Sequence, residues 1–326
     1  MLRFVYVLLL LNCQYIYSYN IFDMAQSGDI NSIRNLPDFE KQINITNDYG
    51  DNLLTTAISY KQSAAIKFFL QNNGNIYHTN KAGQTTLMLA VQNKDINLIS
   101  YLLKRNVPIN AVDQVGNSAL FYAIEANNPM IISLLLRNKA NIHIMNKKSL
   151  SPLMLASELE SFESIVALLY HIKNIDQQNS EGATALMIAS RHGSIRAVET
   201  LLQAGANTDI QDKQGWTALM FAVIENDVEA VDLLLKYGAD LNINNNYKET
   251  ALMLASAYDF PEIIQTLISR GADIYAKNKQ GLTAYQLAQL NNSTTAMLLL
   301  KAQGPQEDLP DLSRFLPKGI MTNNLE

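Results

Sequence analysis

Apolar residues recur in this chain at two interleaved helical spacings, and the combined pattern returns every 33 residues. Ala57, Ala90, Ala123, Ala156, Ala189, Ala222, Ala255 and Ala288 fall 33 apart with no insertion. Three positions before them stand Leu54, Leu87, Leu120, Leu153, Leu186, Leu219, Leu252 and, closing the series, Tyr285. Nine positions after each alanine comes Ile66, Ile99, Ile132, Ile165, Val198, Val231, Ile264 or Met297. Three further on stand Phe69 and then seven leucines from Leu102 to Leu300. Apolar residues three apart share one face of an α-helix, so each period predicts two short amphipathic helices. A column of alanines predicts a place where elements approach too closely for a larger side chain.

The polar positions punctuate the same period. Thr85, Ser118, Ser151, Thr184, Thr217, Thr250 and Thr283 lie two residues before the leucines, where a hydroxyl can cap the first helix. Lys61, Lys94, Asn127, Glu160, Gly193, Asn226, Asp259 and Asn292 mark the turn between helices. Asn73, Asn106, Gly205, Gly238, Gly271 and Gly304 supply a left-handed stop after the second. Gly50, Gly83, Gly116, Gly182, Gly215 and Gly281 predict a tight turn with positive φ before the next unit. Asp113 and Asp212, at turn positions, are expected to accept local backbone N–H groups. The fourth unit departs from the pattern, with Ser149 at the turn glycine and Ile172 at the stop, while Lys139 fills the stop one unit earlier. A β-branched residue at positive φ is costly, so the backbone there is expected to take another path.

Each unit thus reads as turn, helix, turn, helix, extended loop. With tetrapeptides such as Ser151-Pro152-Leu153-Met154 and Thr217-Ala218-Leu219-Met220, and stops such as Gly238-Ala239-Asp240, it resembles the ankyrin repeat family over about Ile21 to Gly304. The resemblance implies an all-α solenoid of helix pairs with β-turn tips. Eight repeats span 47–304, preceded by a capping helix pair over 19–46 in which Met24, Ile33 and Leu36 fill the repeat columns. A tail over 305–326 carries Leu309, Leu312, Phe315 and Leu316, and is expected either to be flexible or to pack along the last repeat. The family's histidine, which ties neighbouring turns, is replaced here by Met88, Met154, Met187, Met220, Met253, Phe121, Thr55 and Gln286. Apolar contact is expected to take the place of that polar network.

Composition narrows the picture. With 48% hydrophobic and 17% charged residues the chain is neither disordered nor a multispanning membrane protein, and a net charge of −5 argues against a general positive field for nucleic acid. Cys13 is the only cysteine, so no intrachain disulfide framework and no thiolate metal cluster forms. Arg3 followed by the apolar run Phe4 to Leu11 and the small Ser18 reads as a secretory signal over 1–18, too short to span a bilayer. Leu10-Leu11-Asn12-Cys13 loosely resembles a lipoprotein box, which makes lipidation at Cys13 the alternative to simple cleavage.

No constellation declares an enzyme, a cofactor site or a metal site. His78, His143, His171 and His192 are scattered, and neither a phosphate-binding loop nor a nucleophile elbow is present. The family resemblance implies a non-catalytic module that binds a protein partner on a concave face lined by the turn tips and the ends of the first helices, and the chain is expected to be a monomer. In repeats five to seven these positions hold Arg191, His192, Trp216, Tyr247 and Tyr258, and in repeat one Tyr49 and Tyr60. Trp, Tyr and Arg carry most binding energy at interfaces. The signal over 1–18 points to an exported protein, and the resemblance to signal-bearing ankyrin proteins of bacteria suggests a bacterial origin. The alternatives are a lipid-anchored envelope scaffold that protects or organises an enzyme, or a host-directed effector.

Overall fold

The computed structural model describes residues 21–305 and 307, so the expected signal over 1–18, Cys13 and the tail residues Leu309, Leu312, Phe315 and Leu316 lie outside the described residues. The chain divides after Ile172 into two compact units. In the first, helical residues 21–27 (α1) are followed by α2 (Ile30–Arg34), α3 (Phe39–Gln42), α4 (Leu53–Ser59), α5 (Ser63–Gln71), α6 (Thr86–Gln92), α7 (Ile96–Leu103), α8 (Ala119–Glu125), α9 (Pro129–Arg137), α10 (Pro152–Glu158) and α11 (Phe162–Leu169). The second holds α12 (Ala185–Arg191), α13 (Ile195–Gln203), α14 (Ala218–Ile224), α15 (Val228–Lys236), α16 (Ala251–Ala257), α17 (Pro261–Ser269), α18 (Ala284–Leu290) and α19 (Thr294–Lys301). Among the described residues there is no strand, only three isolated β-bridges, and no helix is long and apolar enough to cross a membrane.

The sequence columns become the core. All eight alanines from Ala57 to Ala288 are fully buried, and the leucine column before them is buried throughout. Thr85, Ser151, Thr184, Thr217, Thr250 and Thr283 cap their helices by accepting the N–H three residues on at 3.3–3.4 Å. Asn52 does so for α4 at 2.8 Å, whereas Ser118 occupies the cap of α8 without a side-chain bond. Every residue expected at the turn between helices has positive φ, from +42° at Asn127 to +68° at Gly193. The methionine column does more than fill space. The sulfurs of Met88, Met154 and Met187 accept the N–H of Thr85, Ser151 and Thr184 at 3.3–3.4 Å, as the Gln286 amide oxygen accepts from Thr283 at 3.0 Å. A thioether is a weak acceptor, but here it closes the second half of a capping box, so the expectation of purely apolar contact is corrected.

The irregular positions resolve in different ways. At the N-terminal end Leu36 and Met24 are only half-buried, while Ala25 is fully buried. Pro37 follows Leu36, the chain turns at Asp38 with φ +56°, and one extra helical turn delivers Phe39 to Phe68 and Phe69, with ring centroids 5.3 and 6.4 Å apart. Phe39 thus fills the space expected for Leu36. Ser149 and Lys139 do not leave the regular path: they adopt φ +60° and +69°. Ile172 does leave it, for its N–H closes a helical bond to the Leu168 carbonyl at 3.1 Å instead of taking the left-handed stop. Both adaptations cost backbone energy, so amides over 139–177 are expected to exchange faster than those of repeats five to seven. Residue-resolved hydrogen exchange checks this, and uniform protection would contradict it.

Candidate functional site

Each turn tip is built by an Asx turn. In the second unit Asp212 accepts the N–H groups of Gln214 and Trp216 at 2.9 and 2.8 Å, and Asn245 accepts those of Tyr247 and Glu249 at 2.8 and 3.0 Å. Asp113 does the same for Val115 and Asn117 at 2.9 Å, so both aspartates act as expected. Adjacent tips are then sewn together by backbone: Lys213 N–H to the Glu181 carbonyl, Asn246 to Gln214 and Lys279 to Tyr247, all at 2.9 Å. The tip residues therefore stand on fixed backbone, although they belong to turns.

The five predicted residues fall on three successive repeats of the second unit, a row in repeat register. Arg191 ends α12 and His192 follows as its C-cap, both exposed. Tyr258 caps α16 two repeats on, at the position His192 holds, and is 62% exposed. Trp216 is half-buried just before the cap of α14, and Tyr247, on the next tip, is 59% exposed. None of the five makes a ring contact with another. Trp216 instead leans on Phe221 at 5.3 Å with planes 37° apart, and Tyr258 stacks on Phe260 at 5.8 Å and 13°. These supporting aromatics were not anticipated. Phe260 carried a visible signal, since it stands before a second helix where the other repeats have Gln62, Asp95, Asn128, Ser161, Ser194, Asp227 and Ser293. Phe221 replaces the aliphatic side chain of most first helices and carries no such signal. Tyr49 and Tyr60 are exposed in the first unit.

The first unit fills the Phe221 position differently. Tyr122 donates to Asp113 Oδ2 at 2.6 Å and accepts from Gln84 at 3.0 Å. Burial, reinforced by the bond to Asp113, pushes the Tyr122 hydroxyl from 10.0 up to about 12. Burial and the Asp113 charge also raise the nearby Glu125 carboxyl, partly offset by Lys148. A tyrosine held above its unfolded value stabilises the fold fully below pH 10, and that contribution is lost as pH rises through about 12. Tyr122→Phe leaves the buried Asp113 short of a donor and is expected to cost about 1–3 kcal/mol in urea unfolding at neutral pH. The difference between variant and wild type should shrink above pH 10 as the wild-type contribution fades. A pH-independent difference would contradict the assignment.

Among the histidines, His78 Nε2 lies 2.5 Å from the Gly50 carbonyl and ties two neighbouring tips, and His171 meets Tyr170 edge to face at 5.2 Å. Among the described residues no three His, Cys, Asp or Glu side chains gather as a metal site.

Compared with known proteins, the chain matches the family model described as ankyrin repeats (3 copies) over residues 21–113, 56–146, 87–179, 120–212, 153–245, 186–278 and 238–311. Among solved structures it is similar to the ankyrin repeat domain of Bcl-3, described as a unique member of the IkappaB protein family. The two are 26% identical with a TM-score of 0.63, covering 68% of this chain and 100% of that one. No curated protein matches it.

Proposed function

We propose that this chain, which belongs to the ankyrin repeat family, is a non-catalytic binding protein whose partner, another protein, docks on the tips and first-helix ends of repeats five to seven. Ankyrin repeats are protein-interaction modules, and the finer assignment rests on one observation above all. The only tryptophan of the chain stands half-buried on a tip whose backbone is held by Asp212 and by the neighbouring tips, with its ring supported by Phe221. A large aromatic ordered before binding loses little entropy when a partner covers it. Tyr258 on Phe260 repeats the device in the next repeat. The test is affinity capture with the wild-type chain beside a Trp216→Ala/Tyr258→Ala double variant. A protein retained by the first and lost by the second supports the reading, and an identical set of captured proteins overturns it.

Export belongs to the same proposal and rests on the sequence of residues 1–18. The mature protein from a secreting host is expected to lack about the first 18 residues, which intact mass reports. Retention of Met1 would remove this part of the reading, and a mature chain beginning at an acylated Cys13 would favour the lipid-anchored scaffold instead.

A further inference from the structure

A solenoid's terminal repeat has no neighbour on its outer side and needs a polar face there. The groove lined by Val228, Glu229, Asp232, Leu233 and Lys236 of α15 with Arg270 of the next repeat shows which side of a second helix meets its successor. Two repeats on, the place of Asp232 is taken by Leu298 on α19, and Leu298 is 71% exposed. Earlier repeats of this unit put Glu199, Asp232 and Gln265 at that position. Beside it Met297 is only half-buried, although Val198, Val231 and Ile264 in the same column are fully buried. The outer face of the last repeat is therefore apolar where it should be polar.

The chain itself leads back to that face. After α19, Gly304 passes so close to Tyr275 that a Cβ there would stand 2.6 Å from the Tyr275 hydroxyl oxygen, and Glu307 reaches Lys277 at 3.6 Å. The path follows the last repeat's own loop, where the loop of a further repeat would run. The sequence that continues it alternates acidic and apolar residues, with Asp308, Leu309, Asp311, Leu312, Phe315 and Leu316. Lys279 and Lys301, on the same repeat, form no ion pair among the described residues. The 19 residues of 308–326 could extend about 60 Å, several times the roughly 12 Å length of α19.

We propose that residues 308–326 fold back over the open face of the last repeat and close the solenoid in place of a ninth unit, with Leu312 and Phe315 set against Met297 and Leu298. The acidic residues meet Lys279 and Lys301 at the edge.

Hydrogen exchange on the full chain, on a chain ending at Gln306, and on a full-length Leu312→Asp/Phe315→Asp variant tests this. Both altered chains are expected to exchange α19 amides about tenfold faster or more, with α13 and α15 unchanged. In a Cys13→Ser background, Leu298→Cys/Phe315→Cys should form an intrachain disulfide under mild oxidation. Unchanged α19 exchange in both altered chains overturns the proposal. So does an interchain crosslink with a doubled molar mass that Leu298→Gln abolishes, since a second copy would then cover the face.

Discussion

Gly215→Val is expected to destabilise the second unit by about 3 kcal/mol or more, from two separable causes. Gly215 has φ +80°, a conformation that costs an ordinary L-residue about 1–2 kcal/mol and a β-branched one more. A Cβ at this position would also stand 2.7 Å from the Asn246 nitrogen and 2.9 Å from the Asn245 Cα, backbone atoms of the next tip that cannot swing aside. Overpacking of that kind typically adds about 1–3 kcal/mol. Gly281 separates the two causes. It has nearly the same φ, +78°, but among the described residues a Cβ there meets nothing within 4 Å. Gly281→Val should therefore show the conformational cost alone, and urea unfolding of the two variants should differ by the stacking cost. Equal destabilisation would mean that tip contacts contribute nothing. Valine is the informative substitution because Lys248, at the equivalent position, holds φ +58° and still keeps the Lys279-to-Tyr247 bond at 2.9 Å. An unbranched side chain can evidently be absorbed by a slightly altered turn.

The same contrast explains what could be read from sequence. Helix caps, left-handed turns and buried columns obey short-range rules of sterics and hydrogen bonding, so Thr217 at a cap, Asn226 at a turn and Ala222 in the core were legible one residue at a time. Features that depend on a side-chain rotamer or on a distant neighbour were not. Nothing in Met88 announces that its sulfur will accept the Thr85 N–H, and Phe39 reaches Phe68 only because Pro37 breaks the helix before it. Ser149 and Lys139 show the converse: unbranched residues accept a left-handed turn when the bonds around them hold it, and only the β-branched Ile172 leaves it. The candidate positions follow from the repeat register, because stacking leaves tips and helix ends free of folding constraint. That freedom is also why the chemistry of the partner is not written there, and why Phe221 and Phe260, which support the row, were found only in three dimensions.

The second large effect falls on binding. Trp216→Ala removes the broadest side chain of the row and leaves Phe221 without its covering ring, yet Trp216 is only half-buried and its backbone bond to Asp212 survives the substitution. The fold should therefore hold, with an unfolding midpoint close to wild type. Binding should weaken by about 2 kcal/mol or more, roughly thirtyfold, as truncation of an interfacial tryptophan does. Tyr258→Ala is expected to act in the same direction by a smaller amount, since Tyr258 is 62% exposed and its truncation leaves Phe260 in place. Tyr49 and Tyr60, exposed in the first unit, serve as controls that share the residue type but not the row. The decisive measurement is titration calorimetry of the captured partner against wild type, Trp216→Ala and Tyr258→Ala, each shown to be folded. Binding through repeats five to seven predicts about thirtyfold weaker affinity for Trp216→Ala and a clear loss for Tyr258→Ala, and unchanged affinity in both variants would contradict it.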